Sequence, residues 1–299
     1  MKTAVLLYFT VLLLLSPLSA KENTKMNAIA YLADGLDEIK HKEIRIAFRL
    51  WTSEVVKMQN VEVDTLYYSD HEKIVQDYQK QVFGAMTLSP MYYLKHQEVL
   101  DAITEDYYIV QRRKTHYEKM LLLVRKDSQI KNLKDLKGKV VGTKSDSYQA
   151  RFFLDKEMLE ELHITSKRYI RSMTKTEEFS TAVLNVFFKK IDACVVPEYI
   201  FNLICEMNPA VGRSISSIVE SQNIFMPAMT VLHKDTPVNL REVYRKSISS
   251  LDKTVKGKNI LTLFKMHRIR FIEVSELDKI KKYYAEYLAL KKRYRVKND

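Results

Sequence analysis

The sequence predicts an α/β protein of two units, each a mostly parallel sheet flanked by helices. Short apolar runs alternate with longer segments of helical periodicity, and the alternation restarts after Tyr117. Hydrophobic residues make up 46% of the 299 residues against 29% charged ones, and no repeat or low-complexity tract interrupts them. That length and balance suit two medium domains, or one large one, with proper cores.

Residues 1–20 read as an export signal. Lys2 is followed by an apolar run from Ala4 to Leu15, broken only by Thr10. Ser16-Pro17-Leu18-Ser19-Ala20 then supplies the small residues of a cleavage site after Ala20. The run falls short of the about 20 residues a bilayer span needs. A soluble chain outside the cytoplasm is therefore expected, without a lipid anchor because no cysteine follows the cut. The formal charge of +12 draws anions to the surface, but the lysines are scattered, which fits solubility better than nucleic-acid binding. Cys194 falls in an expected strand and Cys205 on the helix after it, a placement that favours free thiols over a disulfide even in an oxidising compartment.

The first unit opens with a strand at 27–32, ended by Ala33-Asp34-Gly35. Ile44, Phe48, Trp51, Val55 and Met58 lie on one face of a helix over 36–60. A strand at 61–68 follows, then a capping box of Ser69 and Glu72 opening a helix through Lys80. The unit continues with a strand at 82–86 and a helix at Pro90 carrying Tyr92, Tyr93 and Leu94. The second unit starts with a continuous apolar strand, 119–125, and a helical turn at 133–136 that stops at Gly138. Next come a strand at 140–143 and a helix at 147–162 bearing Phe152, Phe153, Met158 and Leu162. Strands at 168–173 and 191–196 then alternate with helices at 176–188 and 197–207. After an extended segment at 225–232, the chain is expected to be helical from Asn239 almost to its end. There Ile280, Tyr283, Tyr284, Tyr287 and Leu288 form a docking stripe, and Lys291 to Arg295 form a solvated basic helix end.

Several motifs give this pattern a family likeness. The string Asp127-Ser128-x-Ile130-x-x-Leu133-x-Asp135-Leu136-Lys137-Gly138-Lys139, with Lys190-Ile191-Asp192-Ala193, Met226-Pro227-Ala228-Met229 and Gly257-Lys258-Asn259-Ile260-Leu261, resembles the type II periplasmic solute-binding proteins. It is most similar to the phosphate, phosphite and phosphonate-binding receptors of ABC transporters. The likeness implies two lobes, residues 27–117 with 229–299 and residues 118–228, joined by two crossing segments and closing on a small ligand.

The same likeness directs attention to residues that would edge the cleft. The family's Ser-Thr-Ser-Gly anion turn corresponds here to Thr143-Lys144-Ser145-Asp146-Ser147-Tyr148-Gln149-Ala150, where Ser147 matches and Tyr148, Gln149 and Ala150 depart. Ser145 and Ser147 would donate to an oxyanion, although Ser147 equally suits a helix cap. Asp146 would instead meet an amine. From lobe one, Thr87, Ser89, Pro90 and Tyr92 lie where the family passes from strand to helix, with Tyr92 rather than Tyr93 taken to face the cleft. Asp34 follows the first strand and either starts a helix or touches ligand. Glu198 suits the first turn of its helix with or without a ligand, and Tyr117, on the first crossing segment, lines the hinge or stacks on ligand.

Catalysis finds little support. Seven dispersed histidines form no zinc motif, there is no G-x-S-x-G elbow, and six glycines in the chain leave no nucleotide-cradling loop. The expectation is a non-enzymatic monomer without cofactor that delivers a small anion or zwitterion, phosphonate-like or phosphate-like, to an ABC permease. The alternative is a sensory receptor of the same fold that signals to a membrane kinase or cyclase.

Overall fold

A computed structural model describes residues 26–32, 53, 63–112, 115–145 and 147–296. Its strands are β1 Met26–Leu32, β2 Asp64–Tyr68, β3 Phe83–Leu88, β4 Thr104–Gln111, β5 Met120–Arg125, β6 Val140–Lys144, β7 Ser172–Thr176, β8 Ala193–Pro197, β9 Ile215–Glu220, β10 Met229–His233 and β11 Arg268–Ile272. The helices are α1 His71–Gln79, α2 Pro90–Lys95, α3 Gln97–Leu100, α4 Tyr148–Leu162, α5 Ser166–Tyr169, α6 Phe179–Phe187, α7 Glu198–Met207, α8 Pro209–Ser214, α9 Val238–Ser250, α10 Val255–Leu263 and α11 Asp278–Arg293.

These strands form two sheets, ordered β11-β4-β10-β3-β1-β2 and β7-β6-β8-β5-β9. β1 is an interior strand of the first sheet, paired with β2 and β3, and both its faces are apolar: Ala28, Ala30 and Leu32 enter one buried cluster, while Ile29 and Tyr31 enter another on the opposite face. β5 is buried along its apolar run and pairs on both edges, as a central strand must. The chain passes between the sheets from β4 to β5, where residues 115–119 are described, and again at residues 221–228. There Glu118 and Phe225 form an antiparallel bridge, each backbone N–H donating to the other's carbonyl at 2.6 and 3.0 Å. One buried cluster continues across the junction, from Leu32 and Tyr92 through Ile280 and Tyr283 to Phe152 and Phe153. Cys194 and Cys205 are both free, Cys194 fully buried.

Several elements differ from expectation. Antiparallel pairing has a larger share than the strand and helix alternation implies, since β10 and β11 run antiparallel to β4, β10 also to β3, and β5 to both its neighbours. The cap of α1 is Asp70 rather than Ser69, its carboxylate accepting the Glu72 and Lys73 N–H groups at 2.9 and 3.0 Å. The strand expected at 168–173 is displaced to β7 by the turn α5, which Asp155 anchors by accepting from both the N–H and the hydroxyl of Ser166. β4 and β9 were not anticipated. The region after Asn239 is not continuously helical, because Lys265 adopts a left-handed φ of 52° at the end of α10 and β11 then pairs with β4. The helix expected at 36–60, Ala33, Asp34, Gly35, Asp146 and the signal segment lie outside the described residues, Ser53 excepted.

Candidate functional site

The carboxyl ends of β2, β3, β6 and β8 lead directly into α1, α2, α4 and α7, so four helix N-termini open from strand ends, where α/β proteins place their ligand crevices. Two of these starts, from different sheets, meet. The Tyr92 ring on α2 lies edge-on to the Tyr148 ring on α4, with centroids 5.8 Å apart and planes at 87°.

Each side of this junction is tightly built. Ser89 caps α2, its hydroxyl oxygen accepting from the Tyr92 N–H at 3.3 Å, and is almost fully buried. Ser147 caps the 15-residue α4 by accepting from the Ala150 N–H at 3.1 Å. The Tyr92 ring also contacts His71 and His96, at 5.0 and 4.8 Å, and its hydroxyl donates to Glu72 at 3.3 Å. Lys95, 2.8 Å from Glu72, holds that carboxyl below the usual carboxylate range, aided by His96. Burial holds His96 below the ordinary imidazole value, against the pull of Glu72, and pushes the Tyr148 phenol up. Tyr93, by contrast, points into the core and donates to Asp101 at 2.7 Å, which leaves Tyr92 as the tyrosine at the junction.

A second group gathers where the chain crosses between the sheets. Tyr117 and Glu198 line a cavity of about 160 Å³ together with Arg112, Glu118, Tyr199 and Asn223. Glu198 is the first residue of α7 and half-buried, its N–H donating to the Lys119 carbonyl at 2.9 Å. Arg112 donates to Glu118 at 3.0 Å and sits 4.6 Å from the Tyr199 ring centroid. Tyr117 donates through its hydroxyl to the Glu276 carbonyl at 2.9 Å.

The candidate residues therefore divide. Ser89, Tyr92, Ser147 and Tyr148 come together at the helix junction, and Tyr117 and Glu198 come together at the crossing. Thr87 stays within the first sheet, its hydroxyl bonded to that of Thr230 at 2.8 Å. Ser145 is half-buried on the turn before α4, with its N–H donating to the Thr176 carbonyl at 2.8 Å. Asp34 lies outside the described residues. Sequence reasoning missed His71, His96 and Lys95 around Tyr92, and Arg112 and Tyr199 at the crossing. The only available signal was the helix start at His71-Glu72, whose approach to Tyr92 depends on the sheet order. Among the described residues, no group of three or more His, Cys, Asp or Glu side chains is arranged to hold a metal ion, and no helix is long and apolar enough to cross a membrane.

Two sheet-centred lobes, a double crossing and helix starts meeting between them define a type II periplasmic binding protein. Solved structures carry the same fold. The binding protein component of an ABC phosphonate transporter from Pseudomonas aeruginosa matches with a TM-score of 0.70 at 12% identity, covering 91% of this chain and 90% of that one. PhnD1 from Prochlorococcus marinus, solved with methylphosphonate, matches at 0.66 and 16% identity, covering 91% and 99%. XAC2383 from Xanthomonas citri, solved with ATP, matches at 0.65 and 12% identity, covering 90% and 98%. No curated protein sequence matches the chain. Residues 43–278 match the family model described as ABC transporter, phosphonate, periplasmic substrate-binding protein, and the chain belongs to that family. Its members are substrate-binding components of transporters rather than enzymes.

Proposed function

We propose that this protein captures a small phosphonate-like or phosphate-like anion, or a zwitterion bearing such a group, between its lobes and presents it to an ABC permease of the inner membrane. The observation that carries the reading is the Ser147-capped start of α4, which opens from the end of β6 towards Tyr92 of the other lobe. The first-turn N–H groups of a 15-residue helix have no intrahelical acceptors, and the helix dipole adds to their attraction for an anion. The overall positive charge supports the same sign of ligand. In this reading Ser145, Ser147 and Tyr148 face the ligand from lobe two, and Ser89 and Tyr92 from lobe one, while Thr87 is held in the sheet by Thr230 and supports the strand end behind them. Tyr117 and Glu198 close the back of the cleft.

The lobes are residues 27–117 with 229–299 and residues 118–228, and the chain acts as a periplasmic monomer after cleavage behind Ala20. α11, counted with lobe one by chain order, packs on α4 and so straps the two lobes. Nothing favours the sensory alternative over transport.

A melting screen of residues 21–299 tests the proposal, with phosphate, phosphite, methylphosphonate, aminoalkylphosphonates, sulfonates and amino acids as ligands. A ligand at 100 times its Kd adds about 2.7 kcal/mol of stability, a readily measured shift. A phosphorus oxyanion should raise the melting temperature of the wild type and fail to raise that of Ser147→Ala. A shift confined to another ligand class would refute the assignment.

A further inference from the structure

We propose that His116 is a positioning residue which, while neutral, pins the first crossing segment to lobe one, and that its protonation releases the segment. His116 lies between β4 and β5, with its side chain nearly buried. Its Nδ1 is 2.9 Å from Nη2 of Arg270 on β11. A guanidinium only donates, so Nδ1 must accept and the single ring hydrogen sits on Nε2, an assignment that follows from the partner's chemistry. That Nε2 is sealed from solvent without a hydrogen bond, 3.6 Å from the Glu276 carboxylate.

Arg270 grips Glu276 with two donors. Glu276 also receives the Glu273 N–H at 3.3 Å, and its carbonyl receives the Tyr117 hydroxyl. The Tyr117 ring lies 4.2 Å from that of His116, and Lys279 of α11 sits 4.5 Å from the Tyr117 centroid. Asp278, also on α11, adds a negative charge near Tyr117. Arg270, Glu276 and Lys279 are thus the charges facing the imidazole from lobe one and its terminal helix. On the far side of the segment, Glu118 pairs with Arg112, which rests on Tyr199 of α7.

Protonating Nδ1 removes the lone pair that Arg270 uses and adds a cation beside two others. The carboxylate that opposes this, Glu276, is already engaged by Arg270. Burial first, then Arg270 and Lys279, hold the imidazole below its ordinary 6.5, against Glu276. The sign follows: the clasp is complete above about pH 6.5 and is lost as pH falls below that value. Ligand held between the lobes would then be released more readily in acid, and this consequence alone rests on the binding function proposed above.

The test uses the mature chain without ligand. ¹⁵N NMR of the imidazoles should show His116 with Nδ1 unprotonated near pH 8 and a full imidazolium only below 6.5. Over the same range, once intrinsic exchange rates are divided out, amide exchange in residues 115–119 should quicken about tenfold for each pH unit of clasp lost. His116→Asn keeps an acceptor near Nδ1 but cannot ionise in this range, so its protection should stay flat. A proton on Nδ1 of the wild type near pH 8 would overturn the proposal, as would equal acid loss of protection in both proteins. The tautomer measurement needs no variant to fold. Because both readouts omit ligand, they stand or fall separately from phosphonate capture.

Discussion

Single side chains decide how the two helix starts meet. Tyr148 is one residue past the cap of α4, and its ring touches Tyr92 on one side and Phe152 on the other. An aromatic pair contributes about 0.5–1.5 kcal/mol beyond its area burial. Tyr148→Phe should therefore leave the urea midpoint nearly unchanged, whereas Tyr148→Ala should lower stability by at least that amount. If both variants matched the wild type, the ring contact would have no structural weight. The identity of residue 148 was legible as a departure from the family turn. Its contact with Tyr92 was not, because the two positions belong to different sheets and no local pattern links them.

At the scale of elements, the family-like strings prove to be folding devices. In the 127–139 string, Ser128 donates to the Arg125 carbonyl at 2.6 Å, while Asn132 and Asp135 form a reciprocal capping box around the 3₁₀ turn Leu133–Leu136. Leu133 and Leu136 are buried, and Gly138 takes a left-handed φ of 70° to end the turn. Gly138→Ala should cost about 1 kcal/mol through that φ alone, since nothing lies within 4 Å of the added carbon. Gly257 serves a different purpose. A Cβ there would collide with the Leu251 carbonyl, so Gly257→Ala should destabilise by about 1–3 kcal/mol, the larger loss of the two in chemical denaturation. Of the elements that sequence reasoning missed, β4 and β9 lack clean alternation and β11 is only five residues long, with helices on both sides. They become strands because a neighbouring edge offers its backbone groups, a long-range cause that local propensity does not encode.

For the whole molecule, the junction between lobes is an aromatic and ionic strap rather than a bare hinge. Phe152 of α4 meets Tyr283, Tyr284 and Tyr287 of α11, while Tyr287 donates to Asp155 at 2.8 Å. Lys156, nearly buried, bonds Glu160 at 2.5 Å and lies 3.6 Å from Glu286. Global stability should also depend on pH in a predictable direction. His96, His116 and His233 are all held below their ordinary 6.5, chiefly by burial, so their neutral forms favour the fold. Their contribution is complete above about 6.5 and disappears as pH falls below it. Denaturation midpoints should therefore drop between pH 7 and 5, and by less in a His233→Gln variant. A flat profile would show that these rings are not buried neutral in the native state.

The sequence by itself determined the α/β class, the central strands β1, β3, β5 and β8, the Ser147 and Glu198 helix starts, and the family likeness. These are local matters of apolar periodicity, capping chemistry and turn residues, written within a few positions of one another. Tertiary structure decided the antiparallel edges, the choice of Tyr92 over Tyr93, the pairing of Tyr117 with Glu198, and the clasp of His116 on Arg270. Each of these depends on sheet order and on the double crossing, which join residues as distant in the chain as Tyr107 and Ile272. Such contacts form only once burial of the apolar strands has set the order of the sheets.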